Sequence, residues 1–313
     1  MSKIPVFIVG INPRSGTNYL YQLLASHPEC VRSNHYGEDF ILIGLDKYLE
    51  FYDKVTCRWK KKWHNDQEDF RKALESGILK YLDPVSSPAK LMITKTPYPN
   101  NATLFLKAFT QGYLIVITRN GQDLVESYIT SFNRKFEDVV REWVGGARVI
   151  DAIKKDPKMM KSGRVILLKY EELYQHNQQE MTRLLEFLQL DVSQYDFAKS
   201  RNLDVIGSST FKGESAEVTW VPIPKDHTFN PLNRFEGWSK YRHYRFNWLA
   251  GKYSKSLGYQ LYFESRSPLY YIYNIALTTY KLMLRIGRRT KIILNSFGKR
   301  NTELKRALDI QEK

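Results

Sequence analysis

Residues 7–24, FIVGINPRSGTNYLYQLL, join an apolar run to a helical pattern through a short polar loop that contains glycine. Val6–Val9 reads as a buried strand, and Leu20, Leu23 and Leu24 share a helix face until His27-Pro28 ends it. A loop that opens onto a helix N-terminus gathers backbone N–H groups and the positive end of a helix dipole, which suits a phosphate-like anion. A nucleoside triphosphatase loop also ends in Gly-Lys-Ser/Thr, with the lysine on the phosphates and the hydroxyl on magnesium. Here Gly16 is followed by Thr17 and Asn18, and the only strong cation in the loop is Arg14. No apolar strand ends in an obvious metal-holding aspartate, since the strand from Tyr113 runs into Arg119. The loop is therefore expected to hold an anion without a metal, with Arg14 as the counter-charge. A plain strand–turn–helix joint is the alternative.

Working outward, Tyr113–Thr118 and Val165–Lys169 are further buried strands, and Leu91–Thr94 is a weaker one. Each is followed by polar turn residues and a helical period. NGQDLVESYITSF turns at Asn120-Gly121 and is helical from about Asp123. EELYQHNQQEMTRLLEFLQLD places Met181, Leu184, Leu185 and Leu188 on one side of a helix. Alternating strand and helix imply an α/β fold, a parallel sheet flanked by helices, with ligands at the carboxyl ends of the strands. Helical stretches around 39–82 and 136–160 read as insertions that could wall an acceptor cleft. Residues 200–236 read as a loop too long for filler, either a functional lid or disordered, and 238–259 is helical again.

Arg119 ends one of these strands, where side chains face the ligand crevice, and Ser127 lies eight residues on in the next helix. An arginine fork with a hydroxyl suits a second phosphate; a surface ion pair is the plain alternative. Asp123 is expected to cap or anchor the helix start.

The chain carries 48 Lys/Arg against 33 Asp/Glu, a net charge of +15, which favours anionic partners. Eleven of those cations and only three acids fall in residues 266–313. Cys30 and Cys57 form neither a disulfide framework nor a zinc motif. MSKIPVFIVG runs almost directly into the first strand, so a cytoplasmic protein is expected. Residues 269–286 are mostly apolar but are interrupted by Asn274, two threonines, Lys281 and Arg285, short of the ~20 apolar residues of a spanning helix. This tail reads either as a helix peripheral at a membrane surface or as one packed on the domain. The expected division is 1–262 for the main domain and 263–313 for a basic, partly amphipathic helical C-terminal extension.

At two of these segments the chain resembles the sulfotransferase family, which uses 3′-phosphoadenosine 5′-phosphosulfate (PAPS). PRSGTNYL (13–20) is similar to that family's 5′-phosphosulfate loop, and RNGQDLVESYITSF (119–132) to its 3′-phosphate motif. Weaker similarities follow. HPECVRSNHYGEDF (27–40) resembles the segment where protein-tyrosine and glycan sulfotransferases carry a base after a Gly-Glu pair, and ITKTPYP (93–99) the family's lysine-bearing strand end. LLKYEELYQHN (167–177) and FNPLNRFEGWSKYR (229–242) are similar to its Tyr-Glu-x-Leu turn and late cofactor-covering loop. The resemblance covers about residues 4–260 and implies a P-loop-like fold that binds PAPS as donor, releases 3′,5′-adenosine bisphosphate and uses no metal.

By the same resemblance, Arg14 and the N–H groups of Ser15, Gly16, Thr17 and Asn18 serve the leaving phosphate, and Lys95 contacts the bridging oxygen or the sulfuryl group. Arg119 and Ser127 hold the 3′-phosphate, while Tyr170, Asn233, Arg234 and Lys240 lie along the nucleotide. Small-molecule sulfotransferases carry histidine in Lys-Thr-His, where this chain has Pro97, so Glu38 is the expected general base and His35 its rival. One branch places arginine four residues after the serine; here that residue is Ser131, and Arg134 is the nearest substitute. The implied activity is sulfuryl transfer to a hydroxyl, expected on a carbohydrate or glycolipid. The competing readings are a degenerate nucleotide kinase and a non-enzymatic binder of nucleic acid or anionic lipid.

Overall fold

The computed structural model describes residues 3–290 apart from 34–37, 61, 63, 84–86, 213, 215, 265–266, 285 and 288–289. The chain runs β1 (Ile4–Gly10), α1 (Thr17–Ala25), β2 (Cys30–Arg32), α2 (Leu45–Thr56), α3 (His64–Leu82), β3 (Leu91–Thr96), α4 (Phe105–Ala108) and β4 (Tyr113–Thr118). It continues with α5 (Gly121–Phe132), α6 (Phe136–Lys155), α7 (Pro157–Met160), β5 (Val165–Lys169), α8 (Tyr170–Gln175), α9 (Asn177–Phe187), α10 (Phe197–Arg201) and α11 (Lys240–Ser256). A last helix, α12, covers 268–284. Two compact units result, Met1–Ser239 with Leu249–Leu261, and Lys240–Trp248 with Tyr262–Lys313.

In the first unit five strands form one sheet in the order β2-β3-β1-β4-β5, with every pairing parallel. The expected α/β architecture is therefore present. β1 is central, pairing Ile8 with Lys95 on one side and Ile115 on the other. Alternate residues of so buried a strand feed two apolar layers. Val6 and Ile8 pack with Leu20, Leu23 and Leu24 of α1 and Leu184 and Leu185 of α9. Phe7 faces the other way, its ring 4.7 Å from that of Phe109 and 5.8 Å from that of Phe105. Because the chain leaves β1 for β2 and β3 on one side and then crosses to β4 on the other, strand order reverses at β1, which opens a crevice at the carboxyl ends of the strands.

Several boundaries differ from the sequence reading. β2 was not expected; three residues are too few to show a period. The helix expected over 136–160 breaks at Pro157, which cannot donate to the preceding turn, and Asp156 accepts from Lys158 N–H at 2.8 Å to begin α7. The amphipathic stretch from Tyr170 is likewise two helices, parted at His176. Asn177 opens the second, donating to the Tyr19 hydroxyl at 3.2 Å and accepting from Ser200 at 3.1 Å. The helix after β4 is capped by Asn120, which accepts from Gln122 N–H at 2.9 Å, and not by Asp123. The long loop after α10 is folded: Val205 and Ile223 form an antiparallel bridge, and Gly207 N–H donates to Thr219 O at 2.9 Å. Gly207 has φ +70°, and a Cβ there would lie 2.7 Å from the Trp220 ring.

Candidate active site

The β1–α1 loop is tightly built. Gly146 of α6 approaches it so closely that a Cβ would lie 1.8 Å from Ile11 O. Arg14 takes φ +77°, a left-handed conformation unusual outside glycine and concentrated at functional turns. Gly16 follows at φ +97°, and a Cβ there would lie 2.2 Å from the Tyr170 ring. Helix α1 starts with no side-chain cap. Ser15 N–H is spent on Asn12 O at 3.2 Å, so of the four expected loop donors it is the one engaged within the turn. The N–H groups of Gly16, Thr17 and Asn18 find no acceptor among the described residues. The Ser15 hydroxyl is buried and without a partner there.

Beside these donors lie three guanidinium groups. Arg14 Nε donates to Ser127 Oγ at 3.1 Å, and Arg234 donates to Ser209 Oγ, itself 3.4 Å from Ser127 Oγ. Arg119 stacks on Tyr170 at 4.8 Å and donates to the carbonyls of Arg14, at 2.7 Å, and Pro231. Burial, with Arg119 and Arg234 alongside, pulls the Arg14 guanidinium down to about 9. Burial and Arg119 pull Arg234 down to about 10. Cations that weaken one another in a buried place form a receptor for anionic charge. Asp123, its carboxyl pushed up by burial, accepts the Arg234 N–H and so fixes the late loop against α5.

The donors open into a cavity of about 1170 Å³ that Arg14, Thr17, Lys95, Arg119, Ser127 and Arg234 all line. Lys95, buried at the end of β3, has its Nζ 3.7 Å from Glu38 Oε1. Burial raises the Glu38 carboxyl against the pull of Lys95, and burial lowers the Lys95 ammonium. Asp39 starts the next turn, accepting from Ile41 N–H at 2.7 Å and from the Thr94 hydroxyl. His35 lies outside the described residues. Tyr21, Phe40, Tyr98, Tyr128 and Phe132 give this half of the cavity aromatic walls, with Arg32 over the Tyr21 ring at 5.3 Å.

Of the residues expected at the site, Glu38, Lys95, Arg14, Gly16, Thr17, Asn18, Arg119, Ser127 and Tyr170 line this one cavity, and Ser15 is buried beneath it. Two do not. Asn233 is an exposed turn residue at φ +58°, and Lys240 is exposed at the start of α11 in the second unit. Arg134 lines the cavity with its guanidinium paired to Glu142, while Ser131 donates to Ser127 O at 2.7 Å. Ser209, Pro231 and Trp220 were not anticipated. They come from a loop without periodicity, where its unusual length and, at 229–242, the resemblance to a cofactor-covering loop were the signals of a role.

Residues 5–194 match the model of a family described as the sulfotransferase family. Protein-tyrosine sulfotransferase 2 of Gallus gallus is 24% identical over 199 residues, 59% of this chain and 51% of that protein. Protein-tyrosine sulfotransferase 1 of Danio rerio is 24% identical over 243 residues, 74% of this chain and 64% of that one. The chain thus spans half to two thirds of the length of these curated relatives. Among solved structures, the sulfotransferase domain from the curacin biosynthetic pathway is 15% identical with a TM-score of 0.45, covering 84% of this chain and 99% of that domain. A mouse sulfotransferase complexed with PAP is 14% identical at a TM-score of 0.45, covering 82% and 84%.

Proposed function

This chain belongs to the sulfotransferase family, and we propose that it transfers a sulfuryl group from PAPS to an acceptor hydroxyl. The observation that carries this reading is a cluster beside the uncapped start of α1, in which Arg14 donates to Ser127, Arg234 to Ser209, and Arg119 to the Arg14 carbonyl. The buried Ser15 hydroxyl and the free N–H groups of Gly16, Thr17 and Asn18 fit an anion with several acceptor oxygens.

The donor supplies an SO₃ group whose bond to a phosphate oxygen breaks as the bond to the acceptor oxygen forms. This chain's part is to position, to stabilise charge and to take one proton. Arg14 and the α1 amides would hold the 5′ side, and Ser127 with Arg234 the 3′ side. Arg119 braces the walls through two carbonyls, leaving Nε as its buried, unpartnered donor among the described residues. Lys95 would stabilise the oxygens of the moving group. Glu38, raised by burial against the pull of Lys95, would accept the acceptor's proton.

For the acceptor we favour the phenolic hydroxyl of a polypeptide tyrosine. The matched curated relatives are named for that substrate. A phenol near pKa 10 also passes its proton to a carboxylate far more readily than a sugar alcohol does. The carbohydrate or glycolipid acceptor of the sequence reading is the second reading, supported by Tyr98 and Trp220, flat surfaces on which sugar rings stack. Incubation with ³⁵S-labelled PAPS and matched tyrosine peptides or glycans tests both, run alongside thermal shifts with 3′,5′-adenosine bisphosphate, AMP and ATP. Label on neither acceptor class, with no preference for the bisphosphate, overturns the reading.

A further inference from the structure

Helix α12 belongs to the second unit, and its polarity is inverted. The side chains it buries are polar. Asn274 is 0% exposed and Arg245, on α11, is 4% exposed. Arg245 Nη1 donates to Asn274 Oδ1 at 3.2 Å and to Thr278 Oγ1 at 3.0 Å, and Trp248 Nε1 donates to Thr278 Oγ1 at 3.2 Å. The Tyr270 hydroxyl closes the same face on Tyr244 O at 3.0 Å. The outward side chains are apolar. Leu269 is 75% exposed, Ile272 62%, Ile275 53%, Leu282 55% and Met283 65%. At 100° per residue these positions, with the exposed Tyr273 and Tyr280, sweep about half of the helix circumference. A coiled-coil partner needs only a narrow seam of alternating three- and four-residue spacing. So wide an apolar arc facing outward suits an acyl medium instead.

Charge selects the medium. Between Glu264 and Glu303 the sequence holds eight Lys/Arg and no Asp/Glu. Among the described residues no helix is long and apolar enough to cross a membrane. Interfacial tyrosines with a basic flank are the pattern of a helix lying in the plane of an anionic leaflet. We propose that α12 docks this protein onto a lipid surface with its apolar arc in the acyl boundary, the excess of cations in the surrounding sequence selecting anionic headgroups. This inference rests on the second unit and is independent of the activity proposed above.

The test is flotation of the full chain with phosphatidylcholine vesicles and with phosphatidylcholine–phosphatidylserine vesicles, at low and high salt, with light scattering of the lipid-free protein. Flotation on the phosphatidylserine vesicles, weakened by salt, is expected. The exposed pair Ile272→Glu and Met283→Glu should lower that binding by about tenfold or more, with an unchanged melting temperature showing the fold intact. Failure to float on either vesicle overturns the proposal, as does equal flotation on both. A dimer that the same pair of substitutions dissociates, without vesicle binding, overturns it in favour of a second copy as the occupant.

Discussion

Arg14 Nε and Ser127 Oγ lie 3.1 Å apart although 113 residues separate them in the chain. One belongs to the loop after β1 and the other to the helix after β4, and these neighbouring strands bring both to one cavity. The two anion pockets read separately from the sequence are therefore contiguous.

Removing either partner should be felt in ligand binding. Arg14→Ala deletes a charged donor and is expected to weaken 3′,5′-adenosine bisphosphate by about 10–100-fold, with Ser127→Ala costing about tenfold. Isothermal titration checks both; full affinity in Arg14→Ala would remove this arginine from the site.

Arg119→Lys keeps the charge but loses the fork that joins the carbonyls of Arg14 and Pro231 and the plane that stacks on Tyr170. It should behave like a loss and not a conservative change, with a lower melting temperature and bisphosphate affinity reduced by about tenfold or more. Thermal denaturation with and without ligand reads both effects.

The Arg14 guanidinium, drawn down to about 9 by burial and its two neighbours, predicts a pH limb. An anion favours the charged form, so binding includes proton uptake wherever free Arg14 is neutral. Affinity should be flat below pH 9 and fall above it by up to about one decade per pH unit. In Arg14→Ala that limb should move up toward the Arg234 value of about 10.

Glu38 makes the opposite limb. Burial raises its carboxyl, so the base is lost by protonation at a pH above that of an ordinary glutamate. The acid side of the kcat/KM profile should reflect this raised value, and Glu38→Gln should lower kcat by about 10²–10⁴-fold with little change in bisphosphate affinity. An unchanged profile in Glu38→Gln would assign the proton to another group.

Gly146→Ala tests the packing beneath the loop. A methyl group there meets Ile11 O at 1.8 Å, backbone that cannot swing aside. Overpacking of this kind costs about 1–3 kcal/mol. A lower denaturant midpoint is expected, together with weaker ligand binding, because α6 and the anion loop must separate.

The sequence by itself determined four of the five strands, because buried parallel strands are continuous apolar runs: Tyr113–Thr118 and Val165–Lys169 have the bounds their composition implies, while β2 is too short to show one. It also marked Lys95 and Arg119, which end or directly follow such a run, and Arg14 in the loop after the first, all at the sheet's carboxyl edge. The family resemblance also pointed to Arg234, but only the tertiary structure decided that Asn233 and Lys240 do not line the cavity, and that Ser209 and Pro231 join Arg234 there. Their loop has no period, and its path is fixed by distant contacts, Asp123 with the Arg234 amide and Arg119 with the Pro231 carbonyl. The orientation of α12 was equally hidden. Composition shows a mixture of apolar and polar residues, but which side turns inward depends on Arg245, a buried charge that draws Asn274 and Thr278 toward it and leaves the apolar side outside.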